Sequence, residues 1–184
     1  TGYVEWTLGE SRTRSAPHIV THAVSVPGGS SVMASNFYGA SGEGRTAFFA
    51  VNDPNGSFTA DRREFIGRNG SLQNPAAMKL RRLSGNVGAG LDPCGAIQSV
   101  TTLIDGDQKT FIFILGSEEN SAQAQTVLAR YLDEDNARRE LNAVHQHWHR
   151  MLDNIVVNTP DSTVNLLVNG WLLYQTMACR LMAR

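Results

Sequence analysis

Three histidines at alternate positions, His145, His147 and His149, are the first residues whose type could do chemistry. Imidazole is both a metal ligand and an acid–base group near neutral pH. On a helix only His145 and His149, four residues apart, share a face. Gln146 stands where a metalloprotease helix needs Glu, and a third ligand would have to come from elsewhere. The competing reading, and the favoured one, is solvated histidines beside the buried face of Trp148. Gly85-Asn86-Val87-Gly88-Ala89-Gly90 has the glycine density of a phosphate cradle, but it lacks the Lys-Ser/Thr of a P-loop. It reads as a loop whose backbone angles favour glycine. Asp61-Arg62-Arg63-Glu64-Phe65-Ile66-Gly67-Arg68 is dense in charge. Either an Asp–Arg pair on a solvated strand edge fixes the following loop, or Asp61 and Arg62 contact a sugar or partner through the planar donors of the guanidinium. Trp171, Tyr174 and Gln175 raise the same choice. Aromatic faces stack on pyranose rings, which makes Trp171 and Tyr174 candidate substrate-binding residues, whereas their helical spacing favours core. No Ser-His-Asp order stands out, and no carboxylate is marked as one of a glycosidase pair. No catalytic residue and no metal ligand is assigned.

The elements that must position these residues change character along the chain. Tyr3 to Leu8, His18 to Val26, Arg45 to Val51, Ala96 to Leu103 and Thr110 to Leu115 are rich in β-branched and aromatic residues and are bounded by Gly, Pro, Asn and Asp. They predict strands, and their spacing predicts an antiparallel sandwich. Asp105-Gly106 predicts a hairpin joining the last two. The continuous apolar run Thr110 to Leu115 predicts a strand covered on both faces. Arg62 to Pro93, rich in Gly, Asn, Arg and Pro, reads as a long surface loop with a helical turn near Ala76 to Arg81. After Gly116 the pattern becomes helical. Ser117 or Asn120-Ser121 can cap a helix over Gln123 to Leu132. Asp133-Glu134-Asp135 places acids at the positive end of a second, Asn136 to Asp153. Leu141, Val144, Trp148, Met151 and Leu152 give it one apolar face. Ile155 to Val157 is an extended link, and Asp161 or Ser162 caps a last helix that runs to Arg184 without an exit signal. That ending predicts a piece of a larger protein.

Bulk properties exclude several classes. Of 184 residues, 41% are hydrophobic and 18% charged, so a core is possible and disorder is not the default. A net charge of -1 gives no electrostatic case for nucleic acid or an anionic membrane. No apolar run reaches the ~18 residues of a membrane span. Cys94 and Cys179 form neither a disulfide framework nor a zinc pattern, which fits a reducing compartment.

Several separated motifs carry a resemblance in the right order: Asp61 to Ser71, Leu83 to Gln98, Phe113-Ile114-Leu115-Gly116, Thr159-Pro160-Asp161 and Asn169 to Arg184. Together they resemble the C-terminal phosphorylase-like region of cyclic β-1,2-glucan synthases, which belong with the cellobiose, chitobiose and 1,2-β-oligoglucan phosphorylases of glycoside hydrolase family ninety-four. Tyr3 to Gly9 resembles the glucan-synthase branch. The resemblance implies a mainly β fold with C-terminal α: the later part of an antiparallel β-supersandwich of galactose-mutarotase-like type (1–117), a helical linker (118–158) and the first helix of an (α/α)6 barrel (159–184). It implies cleavage of β-glucosidic bonds by inorganic phosphate with inversion, phosphate being a co-substrate and no cofactor being needed. An Asp of the barrel acts as general acid, and its position lies past Arg184, so no catalytic role is carried onto this chain.

The expected function is therefore part of a β-1,2-glucan-active enzyme, inactive alone, whose partners are a β-glucan oligosaccharide, the rest of the parent enzyme and, in one alternative, a second copy. A non-catalytic carbohydrate-binding module and a dimerisation piece exposing Leu167, Trp171 and Leu172 are the rival expectations. Cysteine usage and the resemblance together imply a cytoplasmic location, with attachment of the parent to the inner membrane left open.

Overall fold

The computed structural model describes residues 1–38 and 45–182. In chain order the first elements are β1 (Gly2–Glu5), α1 (Arg12–Ser15), β2 (Ile19–Val26), β3 (Gly29–Asn36), β4 (Thr46–Val51), β5 (Ser57–Asp61), α2 (Arg62–Ile66), β6 (Pro93–Gln98), β7 (Phe113–Glu118) and α3 (Ser121–Tyr131). All strand pairs are antiparallel, in a three-stranded sheet β1-β6-β5 and a four-stranded sheet β2-β3-β4-β7. The chain divides into two compact units, Thr1–Ala137 and Arg138–Arg184. Mainly antiparallel β with C-terminal helices is the fold class that the sequence implies. Among the described residues no helix is long and apolar enough to cross a membrane.

The first unit is stacked in layers because the strands bury both faces. Val32, Ala34, Ala47, Phe49 and Val51 point from β3 and β4 towards Ala60 and Ile97 of the other sheet, with Trp6 between them. Met33, Phe48 and Ala50 alternate to the opposite face, where Ala124 and Leu128 of α3 and Leu132 cover them. Burying the Leu128 side chain contributes about 1.5–3 kcal/mol. The outer face of the smaller sheet, Cys94 and Ala96, is covered by Phe65 and Ile66 of α2 with Ala77 and Leu83. Gly95 faces the indole of Trp6, where an added Cβ would lie 2.8 Å from Cζ2, so the lack of a side chain here lets the ring approach the strand.

Several expectations are corrected. Asp105-Gly106 does form a turn: Asp107 N–H donates to the Ile104 carbonyl at 2.9 Å, and Gly106 has φ +90°. It does not join a hairpin. Residues 99–112 contain no strand, β6 pairs with β1 and β5, and β7 pairs with β4. The connection crosses from one sheet to the other, so tertiary pairing overrides the local turn signal. β7 starts at Phe113, not Thr110, and is not covered on both faces. It is the outermost strand of its sheet, and Leu115 is 62% exposed. Two strands escaped the pattern. β3 follows β2 through a tight turn at Pro27-Gly28, and β5 leads into α2. β3 carries serines at buried positions because their hydroxyls are satisfied by main-chain carbonyls. Ser30 Oγ donates to the Asp53 carbonyl at 2.7 Å, and Ser31 Oγ to the Val24 carbonyl at 2.6 Å. The expected loop from Arg62 opens with α2 instead. Its later part is tied down by backbone bonds, Ala60 N–H to the Asn86 carbonyl at 2.7 Å and Thr21 N–H to the Gly88 carbonyl at 3.0 Å.

Of the alternatives that the sequence offers as caps, Asn120 rather than Ser117 and Asp161 rather than Ser162 are used, and Asp133, expected as an acid at the helix start, also caps. Asn120 accepts from Gln123 N–H, Asp133 from Asn136 N–H and Asp161 from Thr163 N–H. They open α3, α4 (Glu134–Leu152) and α5 (Ser162–Leu166). α5 continues through a π turn (Leu167–Trp171), α6 (Leu172–Met177) and a second π turn (Ala178–Met182). Residues 183–184 of the expected helix lie outside the described residues. The apolar face of α4 is not buried: none of its residues is, and Leu141, Val144 and Met151 are exposed. Asn165 and Asn169 bind the extended link edgewise. The Asn165 carboxamide accepts from Thr159 N–H and Oγ1–H, both at 2.8 Å, and donates to the Thr159 carbonyl at 2.9 Å. Asn169 makes the matching pair with Val157 at 2.7 and 2.8 Å.

Candidate functional site

Asp61 ends β5 and caps α2. Its Oδ1 accepts from Arg63 N–H at 3.0 Å, and its Oδ2 from the Arg63 guanidinium at 2.9 Å. The residue is 7% exposed. Burial pushes its carboxyl up, but the bonds from the Arg63 side chain and backbone outweigh that and hold its pKa below the ordinary carboxylate value. Arg62, next in sequence, reaches a different group. Its Nε donates to Glu5 Oε1 at 2.9 Å, and its Nη1 lies 3.7 Å from Asp92 Oδ2. Arg12 bridges the same two acids, donating to Glu5 Oε2 at 2.5 Å and pairing with Asp92. Tyr3 adds its hydroxyl to Glu5 Oε1 at 2.7 Å and stacks on Phe65 at 4.5 Å. The result is a ring of two acids and two guanidiniums pinning β1, α1, α2 and the start of β6. Burial raises the Glu5 carboxyl, yet the Tyr3 and Arg62 bonds and the Arg12 charge bring its pKa below the ordinary value. Burial, then the bond to Glu5, raises the Tyr3 phenol. Tyr3, Glu5, Arg12 and Asp92 had no sequence signal as members of this ring, because they meet only through long-range pairing of β1 with β6.

Trp171 and Tyr174 are brought together in the second unit, ring centroids 6.2 Å apart, with Trp148 edge-on to Tyr174 at 6.0 Å. The favoured expectation of core is not met by their exposure, 58% for Trp171 and 42% for Tyr174. Three aromatic faces along α4 and the last helix thus form a partly open apolar surface able to stack on a flat apolar partner. Gln175, half-buried, follows them. The histidines behave separately. His149 Nδ1 lies 3.7 Å from Asp153, and His147 packs edge-on to Trp148. Among the described residues no three His, Cys, Asp or Glu side chains converge as a metal site.

Comparison with known proteins places this arrangement. The family model "Glycosyl hydrolase 94, supersandwich domain" matches residues 1–134, and "Glycosyl hydrolase 94 superfamily, catalytic domain" matches residues 147–184. The chain is 35% identical over all 184 residues to "Cyclic beta-(1,2)-glucan synthase NdvB" of Rhizobium meliloti, a match covering 100% of this chain and 6% of that protein. It is 26% identical over 132 residues to "N,N'-diacetylchitobiose phosphorylase" of Vibrio proteolyticus, covering 72% of this chain and 16% of that one. With "Cellobionic acid phosphorylase" of Neurospora crassa it shares 27% identity over 125 residues, covering 68% and 16%. The chain spans a small part of the length of each relative. It belongs to the glycosyl hydrolase 94 family, of which it carries supersandwich sequence over residues 1–134 and catalytic-domain sequence over residues 147–184.

Proposed function

We propose that these residues are part of a larger enzyme that acts on β-1,2-linked glucans, as an inverting phosphorylase or a cyclic-glucan synthase. The observation that carries this reading is the 35% identity over every residue of the chain to a protein named as a cyclic β-(1,2)-glucan synthase. The phosphorylase relatives are 23–29% identical over shorter stretches. In the reaction, phosphate attacks the anomeric carbon from the face opposite the leaving sugar while an acid protonates the departing oxygen, leaving glucose 1-phosphate of inverted configuration. None of the residues of this chain is assigned either role. Trp171 and Tyr174 offer stacking faces to a glucosyl unit.

The test is to incubate the complete protein with β-1,2-gluco-oligosaccharides and inorganic phosphate and follow glucose 1-phosphate. Release that requires the β-1,2 linkage is expected, and Trp171→Ala is expected to raise KM. An intact, folded parent that turns over no β-glucan refutes the reading. Turnover of β-1,4 but not β-1,2 substrates refutes the linkage. A second reading, assembly through the second unit, is favoured by the exposure of Leu167, Trp171 and Leu172. Sedimentation of the chain across a concentration series checks it: a monomer throughout removes that reading.

A further inference from the structure

Where β3 ends, the chain turns outward and presents Tyr38, 71% exposed. Its position is fixed from below. Asn36, buried, donates its Nδ2–H to the Leu8 carbonyl at 2.7 Å, while its Oδ1 accepts from Tyr38 N–H at 2.9 Å. One face of the Tyr38 ring lies on the imidazole of His18, centroids 4.1 Å apart and planes within 12°. With so much of the residue exposed, the other face meets solvent. The ring stands between two hollows of about 180 and 220 Å³ that share Gly9, Asn36 and Tyr38 in their walls. The first adds Leu8, Ala47, Arg45 and Ser117, and the second adds Glu10, Arg14 and His18.

We propose that this groove is a carbohydrate-binding subsite for one glucosyl unit of a glucan chain, built by residues of the sandwich alone. The chemistry is that of a sugar site. A pyranose has an apolar C–H face and a rim of hydroxyls that both donate and accept. Tyr38, backed by His18, supplies a flat platform that does not have to be ordered on binding, because both its backbone and one ring face are already held. Around it the polar groups are of both kinds. Arg45 donates, its Nη2 lying 3.4 Å from Ser117 Oγ, and Ser117 does both. The Glu10–Arg14 pair, 2.7 Å apart, offers an acceptor and a donor side by side. Asn36 keeps one N–H and one lone pair beyond the bonds that hold it. Among the described residues Glu10 pairs with Arg14, so Arg45 is the one lining cation that no lining acid balances, and the carboxylate beside the ring disfavours a phosphate or other anion there. Each hollow is smaller than the ~300–1,000 Å³ of a site that encloses a drug-sized ligand. The groove therefore grips a single ring and leaves the rest of the chain outside.

The ligand class rests on the glucan reading above, and the experiment separates the two. β-1,2-gluco-oligosaccharides are titrated into the 184-residue chain, with β-1,4 and β-1,3 oligomers in parallel, and the His18 and Tyr38 ring resonances are followed. Saturable shifts at both rings are expected. Tyr38→Ala is expected to weaken binding about tenfold, and Tyr38→Phe to keep it. Arg45→Ala is expected to weaken it with the melting curve unchanged. Trp171→Ala is expected to leave the Tyr38 shifts in place. Absence of shifts with any of the oligomers, or affinity unchanged in Tyr38→Ala, overturns the subsite. If a folded parent fails to turn over any β-glucan while Tyr38-dependent binding persists, the enzymatic reading falls and the subsite stands. If turnover occurs and binding ignores Tyr38, the reverse holds.

Discussion

Replacing Asp61 by Ala separates a structural role from a sugar contact. The Asp61 carboxylate accepts the Arg63 backbone N–H at the start of α2, and α2 carries Phe65 and Ile66 onto the outer face of the smaller sheet. Loss of such a cap costs about 0.5–2 kcal/mol. In a chain of this size that is a fall in Tm of about 1–8 °C. Asp61→Asn keeps an acceptor at the cap and should lose less than half as much. The pH dependence has a definite sign. The Asp61 pKa is depressed in the folded state, so the stability it adds is fully present above its unfolded value of about 3.9 and is lost as pH falls through the lower, folded value. The gap between wild type and Asp61→Ala should therefore be widest near neutrality and shrink in acid, below about pH 4. Urea melts followed by far-UV circular dichroism at the two pH values measure it. A variant within about 0.3 kcal/mol of wild type at neutral pH, or a gap that ignores pH, refutes the capping argument. Lost glucan affinity at unchanged stability would make Asp61 a ligand contact instead.

Two further outcomes test other parts of the structure. Asn165→Ala removes the bonds to Thr159, each about 0.5–1.5 kcal/mol, so amide exchange at Thr159 should accelerate about tenfold while Val157, held by Asn169, stays protected; unchanged exchange at Thr159 counts against the clamp. Burial and the nearby charges of Asp61 and Asp92 push the buried Cys94 thiol up to about 12, whereas Cys179 is exposed. A thiol reagent should then titrate one sulfur rapidly in the native chain and the second only in denaturant, and two equally fast thiols would contradict the burial of Cys94.

The parts of the fold that were legible in the sequence are those written in local chemistry. Asn120, Asp133 and Asp161 announced helix starts because a short polar side chain satisfies free N–H groups wherever a helix begins. The switch from β to α followed from hydrophobic period, although the strand runs on to Glu118, two residues past the expected Gly116. The failures share a cause. β3 has no alternation to read, since both its faces are buried and its serines bond to nearby carbonyls. Asp105-Gly106 specified a turn but not the partners of the strands beside it, which register with residues far away. The salt-bridge ring brings Glu5 to Arg62 and Arg12 to Asp92, separations that no motif spans. Trp171 and Tyr174 were legible as candidates but not in their exposure, because helical spacing tells which residues share a face and not what lies against it. Tyr38 gave no signal, since its value lies in the stack on His18 and the buried amide beneath it.

The pairing of β1 with β6 has a consequence during synthesis. Gly2 registers with Ile97 and Glu5 with Cys94, so β1 leaves the ribosome long before its neighbour exists. At about 5–20 residues per second the interval is on the order of 5–20 s. The β2-β3 and β3-β4 pairs need only their immediate successors and have time to form in that interval. Within these residues the β1-β6-β5 sheet is thus completed only after β2, β3 and β4 have been made, and is laid onto a partly built larger one.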